Sequence, residues 1–161
     1  MLNDAVTTAE FAAWPTLSVP FDALKPLKHP IIPIKNPKTN KQTEIYKNAR
    51  KQIELNLNKK KFQDAVYDTY RFPYAYKNIK TAAKSILTQL LVVSHTSEKG
   101  LQKVRNKIKE QEKKTAYFQE CLAVLKREQP AMVFCTNQRP LLALAPLLAA
   151  QELGIPTATF I

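Results

Sequence analysis

The stretch AMVFCTNQRPLLALAPLLAAQELGIPTATFI, Ala131 to Ile161, constrains the fold of this chain more than any other. AMVFCT is short, apolar and continuous, the pattern of a strand buried on both faces. The polar turn NQRP follows. Pro140 suits the first turn of a helix, where its missing N–H costs nothing, and Asn137 can cap a helix that begins this early. Leu141, Leu144, Leu147, Leu148 and Gln151 then recur at helical spacing, with Pro146 expected to kink or loosen the first turns. Gly154 marks the helix end, and IPTATFI is a second apolar strand. A strand, a helix and a strand within this length predict a right-handed parallel βαβ crossover.

Ligands of open parallel sheets bind beyond the carboxyl ends of the strands. Thr136, Asn137, Gln138 and Arg139 fall at that position. Their amide and guanidinium donors, with a helix N-terminus, suit an anionic or hydroxyl-rich ligand. The same four residues can instead cap the helix and contact neighbouring loops, and their spacing does not choose between these roles.

Several chemistries are excluded by composition. The 161 residues contain only two glycines, Gly100 and Gly154, so neither a dinucleotide fingerprint nor a phosphate-binding loop can be built here. Two cysteines, Cys121 and Cys135, give no disulfide framework and no four-cysteine zinc site, and the usage suits a reducing cytoplasm. Cys135 lies in the apolar strand pattern, where a small buried thiol is expected. Ligand-type residues do not cluster at metal spacing, so no metal and no cofactor is expected. His29, in a proline-rich loop, and His95, near a helix end, are the only histidines that could act as a base; no catalytic residue is assigned. MLNDAVTTAEFAAWP carries Asp4 and Glu10 and lacks the basic start of a signal peptide. The longest apolar run, Leu141 to Ala150, is half of the roughly 20 residues needed to cross a bilayer.

The net charge is +12, from 25 basic and 13 acidic residues. It is concentrated in Lys25–Lys61, where only Glu44 and Glu54 oppose the lysines and Arg50, and in a second cluster from Lys99 to Lys114. Such fields attract phosphates, acidic lipids or acidic polymers, although a lysine-rich solvated surface has the same composition. Lysine far outnumbers arginine, which argues against base-specific nucleic-acid recognition.

Residues 1–42 read as irregular, with at most short strands, because prolines at 15 and 20 bracket WPTLSVPF and prolines at 26, 30, 33 and 37 extend the loop after it. Residues 43–129 read as helical. Ile45, Ala49, Ile53 and Leu57 recur at spacing four and resume at Phe62, Ala65 and Val66 after the Asn56–Asn58 interruption, as two helices or one broken helix. Another helix is expected from about Ala75 to Val93, with Ile79, Ala82, Ala83, Ile86, Leu87, Leu90 and Leu91 on one broad face. Behind Ser97 as N-cap, Leu101, Val104, Ile108, Gln111, Thr115, Phe118, Leu122 and Leu125 alternate steps of three and four. This stripe predicts a single long helix, either paired as a coiled coil or packed on its predecessor or a sheet. Pro130 ends it and opens the βαβ unit over 130–161.

MVFCTNQRPLLALAPLLAAQELGIPTATFI, preceded by YFQECLAVLKREQP, resembles the N-terminal domain of bacterial GT-B type, UDP-glycosyltransferase-like proteins. In that family a helix leads through a KPD-like turn into a strand, then a polar loop, a helix and a GIP turn into the next strand. The matching pieces here are KREQP, AMVFCT and LGIPTATFI, and the likeness is best over Ala116–Ile161. The resemblance implies a cytoplasmic enzyme, peripheral on the inner membrane face, that moves a sugar from a nucleotide donor to an acceptor in cell-envelope or polysaccharide synthesis. It also implies that this chain is a partial, acceptor-side N-terminal domain. The expected fold is therefore α/β but helix-dominated, an incomplete parallel sheet with a large lysine-rich helical insertion. The C-terminal donor-binding domain and an obvious first strand are both missing, so the chain alone is expected to be inactive.

Two other readings compete. A non-enzymatic basic module could bind anionic surfaces or RNA, stacking bases on Tyr67, Tyr70, Phe72, Tyr74 and Tyr76; the lysine excess makes a membrane surface the better partner and packing between helices the simpler use of the aromatics. A helical interaction protein could use the Leu101–Leu125 stripe.

Overall fold

The computed structural model describes residues 12, 14, 30–32, 37–136 and 141–159. The chain divides into two units, 1–38 and 39–161, and the second carries every element named below. The proline-rich loop with His29 and the short strands expected near Trp14 fall almost wholly outside the described residues.

Helix α1 spans Lys41–Phe62. Asn40 caps it, its Oδ1 accepting the Gln42 N–H at 2.9 Å. The expected interruption at Asn56–Asn58 does not occur: the helix runs through it, and Asn56 Oδ1 accepts from Arg71 instead. The break comes at Gln63, whose φ of 52° is left-handed and cannot continue a helix. One short turn, α2 (Val66–Thr69), follows. The chain then returns extended beside α1, with Lys59 paired to Asp68 and the Gln52 Nε2 donating to the Phe72 carbonyl.

Helix α3 covers Ile79–Ser94, starting four residues later than the sequence pattern suggests. Asn78 sets this start through a capping box with Thr81: the Thr81 N–H donates to Asn78 Oδ1 at 2.9 Å and the Asn78 N–H to Thr81 Oγ1 at 3.1 Å. Lys84 pairs with Glu44 near the start of α1, and His95 meets Leu57 and Lys60 near its end, so the two helices run parallel. Helix α4 (Glu98–Lys113) returns antiparallel to both, with Arg105 on Glu54 and Glu112 at Asn40. Ser97 is its N-cap, as the sequence indicates. Gly100 sits so close to the end of α3 that a Cβ there would stand 3.0 Å from the His95 Cα. Ala49, Ile53, Leu101 and Val104 form the core of this three-helix layer, with Leu91 and Val92 partly buried against it.

The long single helix expected from the Leu101–Leu125 stripe is instead two helices. Helix α4 ends at Lys113, and α5 runs over Ala116–Glu128. Thr115, a member of that stripe, is an N-cap whose Oγ1 accepts the Phe118 N–H at 3.0 Å. A threonine that bonds the backbone ahead of it competes with helix continuation. Tyr117, Phe118, Cys121, Val124 and Leu125 of α5 are buried, and α5 packs on helix α6 (Leu144–Glu152).

The terminal unit is a parallel pair. Strand β1 (Val133–Cys135) aligns with β2 (Thr157–Thr159), Val133 opposite Thr157 and Cys135 opposite Thr159. A 3₁₀ turn at Leu141–Ala143 leads into α6, so α6 starts at Leu144 and Pro146 lies in its first turn, where its lost donor costs nothing and no kink is needed. Gly154, at φ 69°, closes α6 in a Schellman arrangement: the Ile155 N–H reaches the Ala150 carbonyl and the Gly154 N–H that of Gln151. The expectation of a strand buried on both faces is corrected. Phe134 is 53% exposed, and Cys135 is only half-buried, because α6 covers one side of a sheet of two described strands. The described fold is thus helix-dominated with a small two-stranded parallel sheet.

Candidate functional site

Of the four residues singled out at the strand-to-helix turn, Thr136 is described and exposed, directly after β1. Asn137, Gln138 and Arg139 lie outside the described residues, as does the proposed capping role of Asn137. Helix α6 is preceded by Ala143, which makes no side-chain cap. Thr136 stands at the carboxyl end of β1, the end at which parallel sheets receive ligands. The hollow nearest this unit is at the other end. It measures about 280 Å³ and is lined by Leu125, Lys126, Gln129, Pro130, Leu153 and Ile155, the residues that lead into the strands.

A second hollow of about 220 Å³ lies among Ile53, Asn56, Leu57, Lys60, His95 and Thr96. Both fall short of the roughly 300 Å³ at which small-molecule pockets begin. His95 closes α3: its Nδ1 lies 3.0 Å from the Leu91 carbonyl and 2.9 Å from the Ser94 hydroxyl, which itself donates to the Leu90 carbonyl. No group of three or more metal-ligating side chains occurs among the described residues.

The most unusual buried chemistry is at the junction of α1, α4 and α5, where sequence reasoning did not look. Glu112 is fully buried; its Oε1 accepts the Asn40 N–H at 3.1 Å. Asn40 Nδ2 also reaches Gln111 Oε1 at 3.4 Å, so the end of α4 caps the start of α1. The Thr43 hydroxyl stands near the Glu112 carboxyl and the Tyr117 hydroxyl near the Cys121 thiol, but neither these hydroxyls nor Oε2 of Glu112 makes a hydrogen bond of good geometry among the described residues. Burial raises the Glu112 carboxyl above its ordinary range, and the nearby Thr43 hydroxyl and the Asn40 N–H offset only part of this. Burial likewise pushes Tyr117 upward and the Cys121 thiol up to about 12, so Cys121 is a packed thiol and not a nucleophile. A step of four from Ile108 lands on Glu112 rather than on Gln111, but a solvated glutamate has the same spacing, so the stripe alone does not mark it.

The aromatic run from Tyr67 to Tyr76 is split between packing and surface. Lys51 Nζ stands 5.5 Å over the Phe72 ring, Tyr67 stacks with Phe62, and the Tyr76 hydroxyl accepts from Gln89. Only Tyr70 and Tyr76 are largely exposed, at 60% and 57%. No helix among the described residues is long and apolar enough to cross a membrane. Comparison with family models, curated proteins and solved structures finds no match to this chain.

Proposed function

We propose that this chain is the acceptor-side part of a glycosyltransferase that carries a sugar from a nucleotide donor to an acceptor in cell-envelope or polysaccharide synthesis. The observation that supports this reading is the parallel β1–α6–β2 unit, closed by the Gly154–Ile155–Pro156 turn. It is the arrangement that the likeness of Ala116–Ile161 to GT-B enzymes calls for. In this reading Thr136, Asn137, Gln138 and Arg139 meet a hydroxyl-rich or phosphorylated acceptor through amide and guanidinium donors. A donor-binding domain outside this chain holds the nucleotide sugar, because two isolated glycines and hollows of this size offer a pyrophosphate no cradle. The enzyme works in the cytoplasm, peripheral to the inner membrane face.

The test is a nucleotide-release assay on the product of the complete natural reading frame, with a panel of nucleotide sugars and phosphorylated lipid acceptors. Acceptor-dependent release supports the reading. Arg139→Ala should then lower activity at least tenfold with the melting temperature nearly unchanged. No release with any donor would overturn the reading; a lower melting temperature with unchanged specific activity would return Arg139 to a capping role.

A further inference from the structure

Helix α3 leaves most of its large apolar side chains outside. The side it presents to the protein has Ser85 and Thr88 as its buried residues, with Leu91 and Val92 partly buried against the core. The opposite side holds Ile79, Ile86, Leu87, Leu90 and Val93, which are 90%, 49%, 49%, 62% and 76% exposed. At 100° per residue these five fall within about 120° of arc, centred opposite Ser85 and Thr88. An exposed face of this kind marks an interaction surface.

Charge identifies what covers it. From Thr69 to Ser97 there is no acidic residue, while Arg71, Lys77, Lys80 and Lys84 are cations. Lys77 and Lys80 flank the first turn of α3 and form no ion pair with another described residue. An apolar strip with cations at its first turn and no acidic residue along it is complementary to an anionic surface with an apolar interior. A second copy of this chain is not, since two molecules each carrying +12 repel. The helix has 16 residues, about 24 Å of length, so it lies along a bilayer and does not span it. Tyr76, with an exposed ring and a hydrogen-bonded hydroxyl, sits at one edge, as interfacial tyrosines do.

We propose that the outer face of α3, with Lys77 and Lys80 at its first turn, seats this protein on an anionic lipid bilayer. The apolar side chains enter the headgroup boundary while the lysines remain among the lipid phosphates. This surface stands on α3 alone and does not depend on the sugar-transfer reading.

The experiment uses co-sedimentation of the full chain with vesicles of neutral phosphatidylcholine, with and without about 30% phosphatidylglycerol, at low and high salt. Binding should require the anionic lipid and weaken with salt, as the screening length shortens from about 10 Å at 0.1 M to about 3 Å at 1 M. The double variant Ile86→Ser/Leu90→Ser removes apolar surface without changing charge. It should lower vesicle affinity at least tenfold while leaving the circular dichroism and melting temperature of the chain in place. Should that variant fold poorly, Leu90→Trp provides the second readout: brominated lipid should quench its added fluorescence beyond any quenching of the parent's Trp14. Unchanged affinity of the serine variant, absent quenching at position 90, or preference for single-stranded RNA over vesicles of equal charge would overturn the proposal. So would a salt-stable dimer in sedimentation that the serine variant dissolves.

Discussion

Glu112 shows how one residue can set the pH response of this fold. Its carboxyl is buried and raised above the ordinary range, so the unfolded chain surrenders the proton at lower pH than the folded one. Folding stability from this group is therefore complete below the ordinary carboxyl range, near 4.3, and is lost as pH rises through the folded value. Each tenfold difference in proton affinity between the two states corresponds to about 1.4 kcal/mol. Glu112→Gln keeps an acceptor for the Asn40 N–H and cannot ionise. Thermal melts should show the variant more stable than the parent at pH 8 and nearly equal at pH 4; equal melts at both would show that the carboxyl ionises freely. Backbone strain supplies a second case at this scale. Gln129 ends α5 at a φ of 44°, in the region glycine occupies without cost. Gln129→Gly should raise stability by up to about 1 kcal/mol in denaturant titration, the left-handed penalty less the extra freedom of the unfolded glycine. Neither residue was legible in the sequence. A buried glutamate beside a stripe glutamine has the same spacing as a solvated one, and nothing in EQP before a strand announces a left-handed cap.

At the scale of elements, the sequence was most legible where one residue type has one use. Ser97 before an apolar periodic run and Gly154 after one were read correctly because a cap and a left-handed stop are the preferred uses of those residues there. Thr115 has two uses, helix interior or cap. The chain reaches Phe118, Leu122 and Leu125 in phase with Leu101, Val104 and Ile108 in either case, so periodicity cannot show the joint. Thr115→Ala removes the cap of α5 and should cost about 1 kcal/mol in chemical denaturation. No loss would mean that α4 and α5 fuse into one helix in the variant. The candidate turn is the opposite case: its position beyond β1 was readable from the strand-helix pattern, but which of Thr136, Asn137, Gln138 and Arg139 meets a ligand depends on side-chain directions that a sequence does not hold. Residues 78–94 mislead for a further reason. An apolar stripe of helical period states that a helix has a greasy side, not that the chain itself will cover it.

For the whole molecule, the way α3 is held has its own consequence. Its seat has few polar bonds: Ser85 Oγ donates to the Ala75 carbonyl and accepts the Ala75 N–H in the segment leading into α3, and Lys84 reaches Glu44 of α1 across an exposed pair. Only Leu91 and Val92 tie α3 to the apolar cluster that fastens α1 to α4. Exposed ion pairs add little, and polar bonds that water can replace add about 1 kcal/mol each at most. The energy that resists opening is thus unequally shared within the three-helix layer. Amide deuteration should record it as two cooperative blocks: α3 exchanging through sub-global opening, and the buried middles of α1 and α4, around Ile53 and Val104, protected nearly to the global limit. Uniform protection of all three helices would show one block. If there are two, α3 is a latch that detaches without melting the remainder, and whatever holds its outer side stabilises the weakest joint in the chain.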